Sequence, residues 1–192
     1  YLMPLLVMRS YPRTLLSETY HAVISRHIEY AKAAGTPWGI SESAYNVQDA
    51  GANYQYRAFG VPGIGLKRGL ADDLVVAPYA CLLAAPIRPK EVIANLEHLA
   101  SEGALGPMGY YEAIDYTKER LEAGQRRAII RTYMAHHHGM SLVALNNALN
   151  DNIMQTRFHG DPRVQAAELL LQERSPHLVP LDRPPEEHRV EE

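Results

Sequence analysis

Between Pro12 and Ala34 the side chains Leu16, Tyr20, Val23, Ile24, His27, Ile28 and Ala31 recur at helical spacing, and Gly35 follows as a stop. That period predicts one long amphipathic helix. The later sustained periods are helical as well: a short apolar stretch over 77–85, a run from Pro89 to Glu102 ended by Gly103, and runs over Ser141–Asn150 and Asp161–Arg174. Pro89 suits the first turn of its helix, and Asp161 followed by Pro162 reads as an N-cap and first helical residue. Arg126–Met134 reads as a short strand or an extended lead into a helix. No βαβ alternation occurs, which disfavours a doubly wound sheet. The predicted fold class is mainly α, with the functional site carried on loops at one end.

Residues 36–73 are rich in glycine, proline and aromatics without a sustained period, so they are read as long loops, and their aromatic content favours a functional role. Two stretches share one composition: Trp38-Gly39-Ile40-Ser41-Glu42-Ser43-Ala44-Tyr45 and Gly106-Pro107-Met108-Gly109-Tyr110-Tyr111-Glu112-Ala113-Ile114-Asp115-Tyr116. Each sets a glutamate among aromatic rings, glycines and small residues, with no neighbouring Lys or Arg. Sugar sites are built this way, with rings stacking on the pyranose and carboxylates moving protons or attacking the anomeric carbon. Glu42 and Glu112 are therefore the candidate catalytic pair, provided the two loops meet. Ser41 and Ser43 can hold Glu42 by hydrogen bonds, Trp38 and Tyr45 flank it, and Asn46 and Asp49 follow. Partial desolvation of Glu112 would suit a general acid, and Asp115 offers a second polar contact. The plainer alternatives are a solvated loop glutamate beside a buried tryptophan and a surface acid preceding a turn.

The glycine-rich Gly60–Gly69 segment lacks the Gly-Lys-Ser/Thr ending of a phosphate loop and reads as a structural turn. Asp72 and Asp73 after it can cap the next helix or bind sugar hydroxyls. His136-His137-His138 does not read as a metal site, because three consecutive side chains cannot converge on one ion as an i, i+4 pair can; no metal or organic cofactor is expected. One of the three histidines can contact substrate where a helix begins at Gly139-Met140-Ser141. No Gly-x-Ser-x-Gly elbow occurs, and the single cysteine, Cys81, lies in an apolar stretch. A formal charge of −3 carries no basic footprint, so nucleic acid is not an expected partner. No apolar run approaches the roughly 20 residues of a membrane span. The apolar opening Tyr1–Met8 reads as a buried segment of a longer protein, and the Pro-rich, acidic residues 175–192 read as an interdomain linker following a domain over 1–174.

Taken together, Tyr1-Leu2-Met3-Pro4-Leu5-Leu6, Pro37-Trp38-Gly39-Ile40-Ser41-Glu42-Ser43, Tyr54-Gln55-Tyr56, Gly65-Leu66-Lys67-Arg68-Gly69, Tyr111-Glu112-Ala113-Ile114-Asp115-Tyr116 and Met134-Ala135-His136-His137 resemble the glycoamylase-like domain of cyclic β-1,2-glucan synthases. The likeness runs from Tyr1 to about Arg174. It implies an (α/α)6 barrel, of which a chain with five or six helices supplies the C-terminal part, with a further acidic residue upstream of Tyr1. It also implies cleavage of linear β-1,2-glucan with transfer to the chain's own non-reducing end, closing a ring. Plain β-glucan hydrolysis and a non-catalytic carbohydrate-binding module are the alternatives. Glu42 and Glu112 fall where the resemblance implies catalytic acids, without assigning nucleophile and acid/base. Ring-closing transfer implies retention, with carboxyls about 5 Å apart or a relay through a substrate hydroxyl. Trp38, Tyr45, Tyr54 and Tyr111 are the implied stacking or hydroxyl contacts, and His136 and His137 polar ones. The implied partners are β-1,2-glucan and flanking glycosyltransferase and phosphorylase-like domains, on the cytoplasmic side of a bacterial inner membrane.

Overall fold

A computed structural model of the protein describes residues 1–65 and 68–174. The expected linker over 175–192 and residues 66 and 67 of the glycine-rich segment lie outside those residues. The described chain is mainly helical, with three small antiparallel sheets inserted between its helices.

The long helix, α1 (Leu15–Ala34), forms where the period predicts it. It begins at Leu15 rather than Pro12 because Arg13 adopts a left-handed φ of 63° and Thr14 is extended. The Thr14 hydroxyl then accepts the Ser17 N–H at 3.2 Å, replacing one bond that a first helical turn lacks. Gly35, at φ 67°, ends the helix in the left-handed region. Tyr20, Val23, Ile24 and Ala31 form its buried stripe.

The stretch over 36–73 is more ordered than its composition predicts. It contains the antiparallel hairpin β1 (Ser43–Gln48) and β2 (Tyr54–Arg57), paired Ser43↔Arg57, Ala44↔Tyr56 and Gln48↔Tyr54 with a bulge between. Asp49 closes the turn by accepting the Gly51 and Asn53 N–H groups at 2.8 and 3.0 Å, an Asx device that replaces the primed two-residue turn. A 3-10 turn (Leu70–Asp72) and β3 (Val75–Val76) follow.

Next come the short, wholly buried α2 (Pro78–Leu82) and α3 (Pro89–Ser101); Pro89 opens α3 as expected, and Pro78 opens α2 in the same way. The second glutamate loop carries a tight hairpin, β4 (Leu105–Gly106) with β5 (Gly109–Tyr110), and then β6 (Ala113–Asp115). Strand β6 is the centre of a three-stranded sheet between β3 and β7 (Ala128–Ile130), so Arg126–Met134 does supply a strand. Val75, Val76, Ile114 and Ile130 are all fully buried there.

Helix α4 (Ala135–Leu149) starts six residues before the expected Ser141 and takes all three histidines into its first turn. The short α5 (Ile153–Phe158) was not anticipated. The expected run over 161–174 is α6 (Pro162–Ala167), tightening into a 3-10 turn over Glu168–Leu171. Asn147 of α4 and Gln155 of α5 tie these helices to the N-terminal turn by donating to the carbonyls of Leu6 (3.0 Å) and Leu5 (2.7 Å).

One ionic network fixes the hairpin to the sheet. Arg120 Nε donates to Asp115 Oδ2 at 2.7 Å and its Nη1 pairs with Asp73, while Arg57 donates to the other Asp73 oxygen at 2.6 Å. Asp115, fully buried, also accepts the N–H groups of Asn46 (3.0 Å) and Thr117 (2.9 Å). Truncating one member of a buried pair leaves the other uncompensated. Arg120→Ala is therefore expected to lose about 3 kcal/mol of stability in urea denaturation at neutral pH. A loss below about 1 kcal/mol, the range of exposed pairs, would show that the network is not load-sharing.

Candidate active site

The two glutamate loops meet. Glu112 sits immediately before β6, with only 3% of its surface exposed, and its backbone N–H donates to the Thr132 carbonyl at 3.0 Å. Its carboxylate accepts the Ala44 N–H at 3.3 Å, two residues beyond Glu42. His137 Nδ1 lies 2.9 Å from one Glu112 oxygen and 3.0 Å from the other. A carboxylate is acceptor-only, so with Glu112 ionised Nδ1 carries the proton and donates, which leaves Nε2 as an acceptor. The Tyr56 hydroxyl stands 3.3 Å from that Nε2.

Tyr79 braces the other side. Its ring stacks on the His137 imidazole with centroids 3.7 Å apart and planes 12° apart. Its hydroxyl donates to Ser41 Oγ at 2.8 Å, with the Glu42 carbonyl oxygen a second acceptor at 3.1 Å. Burial, opposed by the Ser41 contact and reinforced by the charges of Glu42 and Glu112, pushes the Tyr79 hydroxyl well above the ordinary tyrosine range. Burial, then the same two carboxylates, pushes Tyr56 up to about 12. Both hydroxyls thus feel both glutamates and stay protonated at neutral pH.

Two glycines permit this approach. Gly39, at φ 129°, has space where a Cβ would meet the Ala77 carbonyl oxygen at 2.9 Å, so the first loop can lie against the start of α2. A Cβ on Gly106 would meet Tyr133 and the Tyr111 ring, which crowd the β4–β5 hairpin.

The remaining predicted residues divide between positions. Tyr111 packs on Tyr133, with ring centroids 5.2 Å apart. With Glu112, His137, His138, Tyr79 and Met108 it lines a cavity of about 250 Å³. His136 is exposed, its ring 4.0 Å from that of His137. Trp38 is 7% exposed; its backbone N–H and carbonyl are both bonded to the Asn95 side chain of α3, and it lines a separate cavity of about 200 Å³ with His27. Tyr79 and Ser41 also line that second space, so Tyr79 is the wall between the two. Tyr45 lies edge-on to Phe59 with the Arg120 guanidinium 5.1 Å from its ring centroid, Asn46 donates to Asp115 and to the Arg120 carbonyl, and Asp115 is saturated within the ionic network. These three hold the hairpin in place and Asp115 offers no open face to a sugar. Tyr54 is half-buried at the start of β2, and Asp72 is exposed on its 3-10 turn. Asp73, by contrast, is buried against Arg57 and Arg120.

Sequence reasoning singled out neither Tyr79 nor Tyr56 as a site residue. Tyr79 is hidden in an apolar stretch, and Tyr56 enters only through the register that sets it opposite Ala44. The alternating Tyr54-Gln55-Tyr56 run after a glycine-containing turn was the available signal.

His27 supplies a pH test. Burial lowers its pKa to about 4, and its Nδ1 has no hydrogen-bond partner among the described residues. The unfolded chain binds this proton near pH 6.5, the folded chain only near 4, so the contribution to stability is full above pH 6.5 and is lost as pH falls towards 4. Urea midpoints at pH 7 and 4.5 should therefore differ less in His27→Gln than in the wild type; equal differences would contradict the assignment.

The glycoamylase family model, described as "Putative glucoamylase", matches residues 8–162. The cyclic beta-(1,2)-glucan synthase NdvB of Rhizobium meliloti (strain 1021) is 48% identical over 181 residues, which is 94% of this chain and 6% of that protein. Among solved structures, a putative glucoamylase from Bacteroides caccae superposes with a TM-score of 0.50 at 22% identity, covering 80% of this chain and 33% of the other. An endo-beta-1,2-glucanase from Chitinophaga pinensis superposes with a TM-score of 0.49 at 21% identity, over 83% and 35% of the two chains. The chain thus spans a small part of the synthase and about a third of either solved structure. On the family match and the identity to the synthase, this chain belongs to the glycoamylase family.

Proposed function

We propose that the domain acts on linear β-1,2-glucan, cleaving it and transferring the new end to the chain's own non-reducing terminus, as one part of a larger (α/α)6 barrel. The reading draws its chemistry from the site and its substrate from the likeness to the synthase. The observation that carries it is the Ala44 N–H bond to the Glu112 carboxylate, which brings both glutamate loops to one cluster.

Glu42 and Glu112 are the proposed catalytic carboxylates, and their surroundings suggest a division of labour. Glu42 is half-buried with no cation bonded to it among the described residues, which suits a carboxylate attacking the anomeric carbon. Glu112 is buried against a histidine that can give or take a proton, which suits the acid/base. In the first step a Glu42 oxygen bonds to the anomeric carbon, the glycosidic C–O bond breaks, and the leaving oxygen takes the proton of Glu112. In the second step the terminal 2-hydroxyl oxygen displaces Glu42 and its proton returns to Glu112. The configuration at the anomeric carbon is retained. Tyr111, which lines the cavity, and His136, exposed beside the His137 ring, are the proposed sugar contacts.

The test is product analysis with the whole protein that contains these residues, given linear β-1,2-glucan. Cyclic product is expected from the wild type, with Glu42→Gln and Glu112→Gln each slower by about 10²-fold or more; the melting temperature stays unchanged in Glu42→Gln and falls in Glu112→Gln, which alters the buried contacts to Ala44 and His137. Shorter linear products alone would favour hydrolysis over transfer. Bound glucan without turnover in the wild type would leave only a binding module.

A further inference from the structure

We propose that Tyr56 is the outer end of a proton relay, Glu112–His137–Tyr56, through which the buried Glu112 carboxyl exchanges protons with solvent. The proposal rests on the acid/base role suggested for Glu112 and adds a group that the two-carboxylate scheme does not contain.

A relay has its use once glucan fills the cavity that Glu112 and His137 line, because the rest of both side chains is buried. The Glu112 side chain is 1% exposed and that of His137 2%, so neither meets bulk water directly. Tyr56 is 40% exposed while its hydroxyl reaches His137 Nε2. The three groups form one line from the interior to the surface, on three separate elements: the residue before β6, the first turn of α4, and β2. Tyr79 holds the imidazole flat from one side, and the His136 ring lies 4.0 Å away. The imidazole therefore stays aligned with both neighbours.

Two hydrogen-bond patterns are available. In one, Glu112 is ionised, Nδ1–H donates to it, and the Tyr56 O–H donates to Nε2. In the other, Glu112 carries the proton and donates to Nδ1, Nε2–H donates to the Tyr56 oxygen, and the Tyr56 O–H turns to solvent. Conversion moves the Tyr56 proton to Nε2 and the Nδ1 proton to Glu112, while Tyr56 takes a replacement from a water or sugar hydroxyl. The net change is one proton gained by Glu112, and the imidazole remains neutral, having exchanged tautomers. The high pKa of Tyr56 favours a concerted exchange over a standing phenolate.

Tyr56→Phe keeps the ring and removes the hydroxyl. In the whole protein it is expected to lower kcat about 10- to 100-fold, less than removal of a direct acid/base, with KM nearly unchanged. The solvent isotope dependence should change from that of several moving protons to that of one, and the ¹⁵N resonance of His137 Nε2 should shift. Wild-type kcat and isotope dependence in Tyr56→Phe would overturn the relay, as would a loss confined to KM. If Glu112→Gln keeps full activity, the acid/base reading itself fails, which is a separate result.

Discussion

Burying the Glu112 carboxylate is the constraint on which the site depends. A carboxylate taken out of water is costly unless it is paired and hydrogen-bonded, and here the partners come from distant parts of the chain. Ala44 is 68 residues away and His137 is 25. Satisfying this group therefore fixes β1 of the hairpin, the approach to β6 and the first turn of α4 against one another. A two-stranded hairpin is marginal by itself in water. This one is held at its buried end by Glu112 and along its length by Asp115 and Arg120. The proposed acid/base and the anchoring of the hairpin share the same contacts.

The arrangement around Tyr79 follows from that closure. Its ring stacks on the imidazole that Glu112 orients, and its hydroxyl reaches back to Ser41 and the Glu42 backbone. One side chain of a five-residue helix thus joins the two glutamate loops and divides the two cavities. The loop through Gly39 can approach α2 this closely because no Cβ occupies the space beside Ala77.

What the sequence made legible was local. Helices α1 and α3 carry a clear period, and Gly35 and Gly103 close them with left-handed φ angles. The hairpin escaped because Ser43–Gln48 has a single β-branched residue, and its turn is closed by an Asp49 side chain rather than a two-residue glycine turn. The start of α4 escaped because Met134 offers no side-chain cap, so nothing in the composition marks the boundary. The two glutamates were visible as unusual loop residues, yet their different burial was not, because it is decided by tertiary packing. For the same reason Trp38, a stacking candidate by composition, sits clamped by Asn95, and Asp115 closes an ionic network.

The central claim is that one cluster, with Glu42 at its open side and Glu112 at its buried side, is where glucan is cut. The most direct measurement is a crystal structure of the whole protein, inactivated as Glu112→Gln, with linear β-1,2-glucan bound. A glycosidic bond lying between residues 42 and 112, with their two carboxyl or carboxamide groups about 5 Å apart across it, is the predicted result. A glucan chain seated away from this cluster, with those two groups more than about 10 Å apart, would contradict the account.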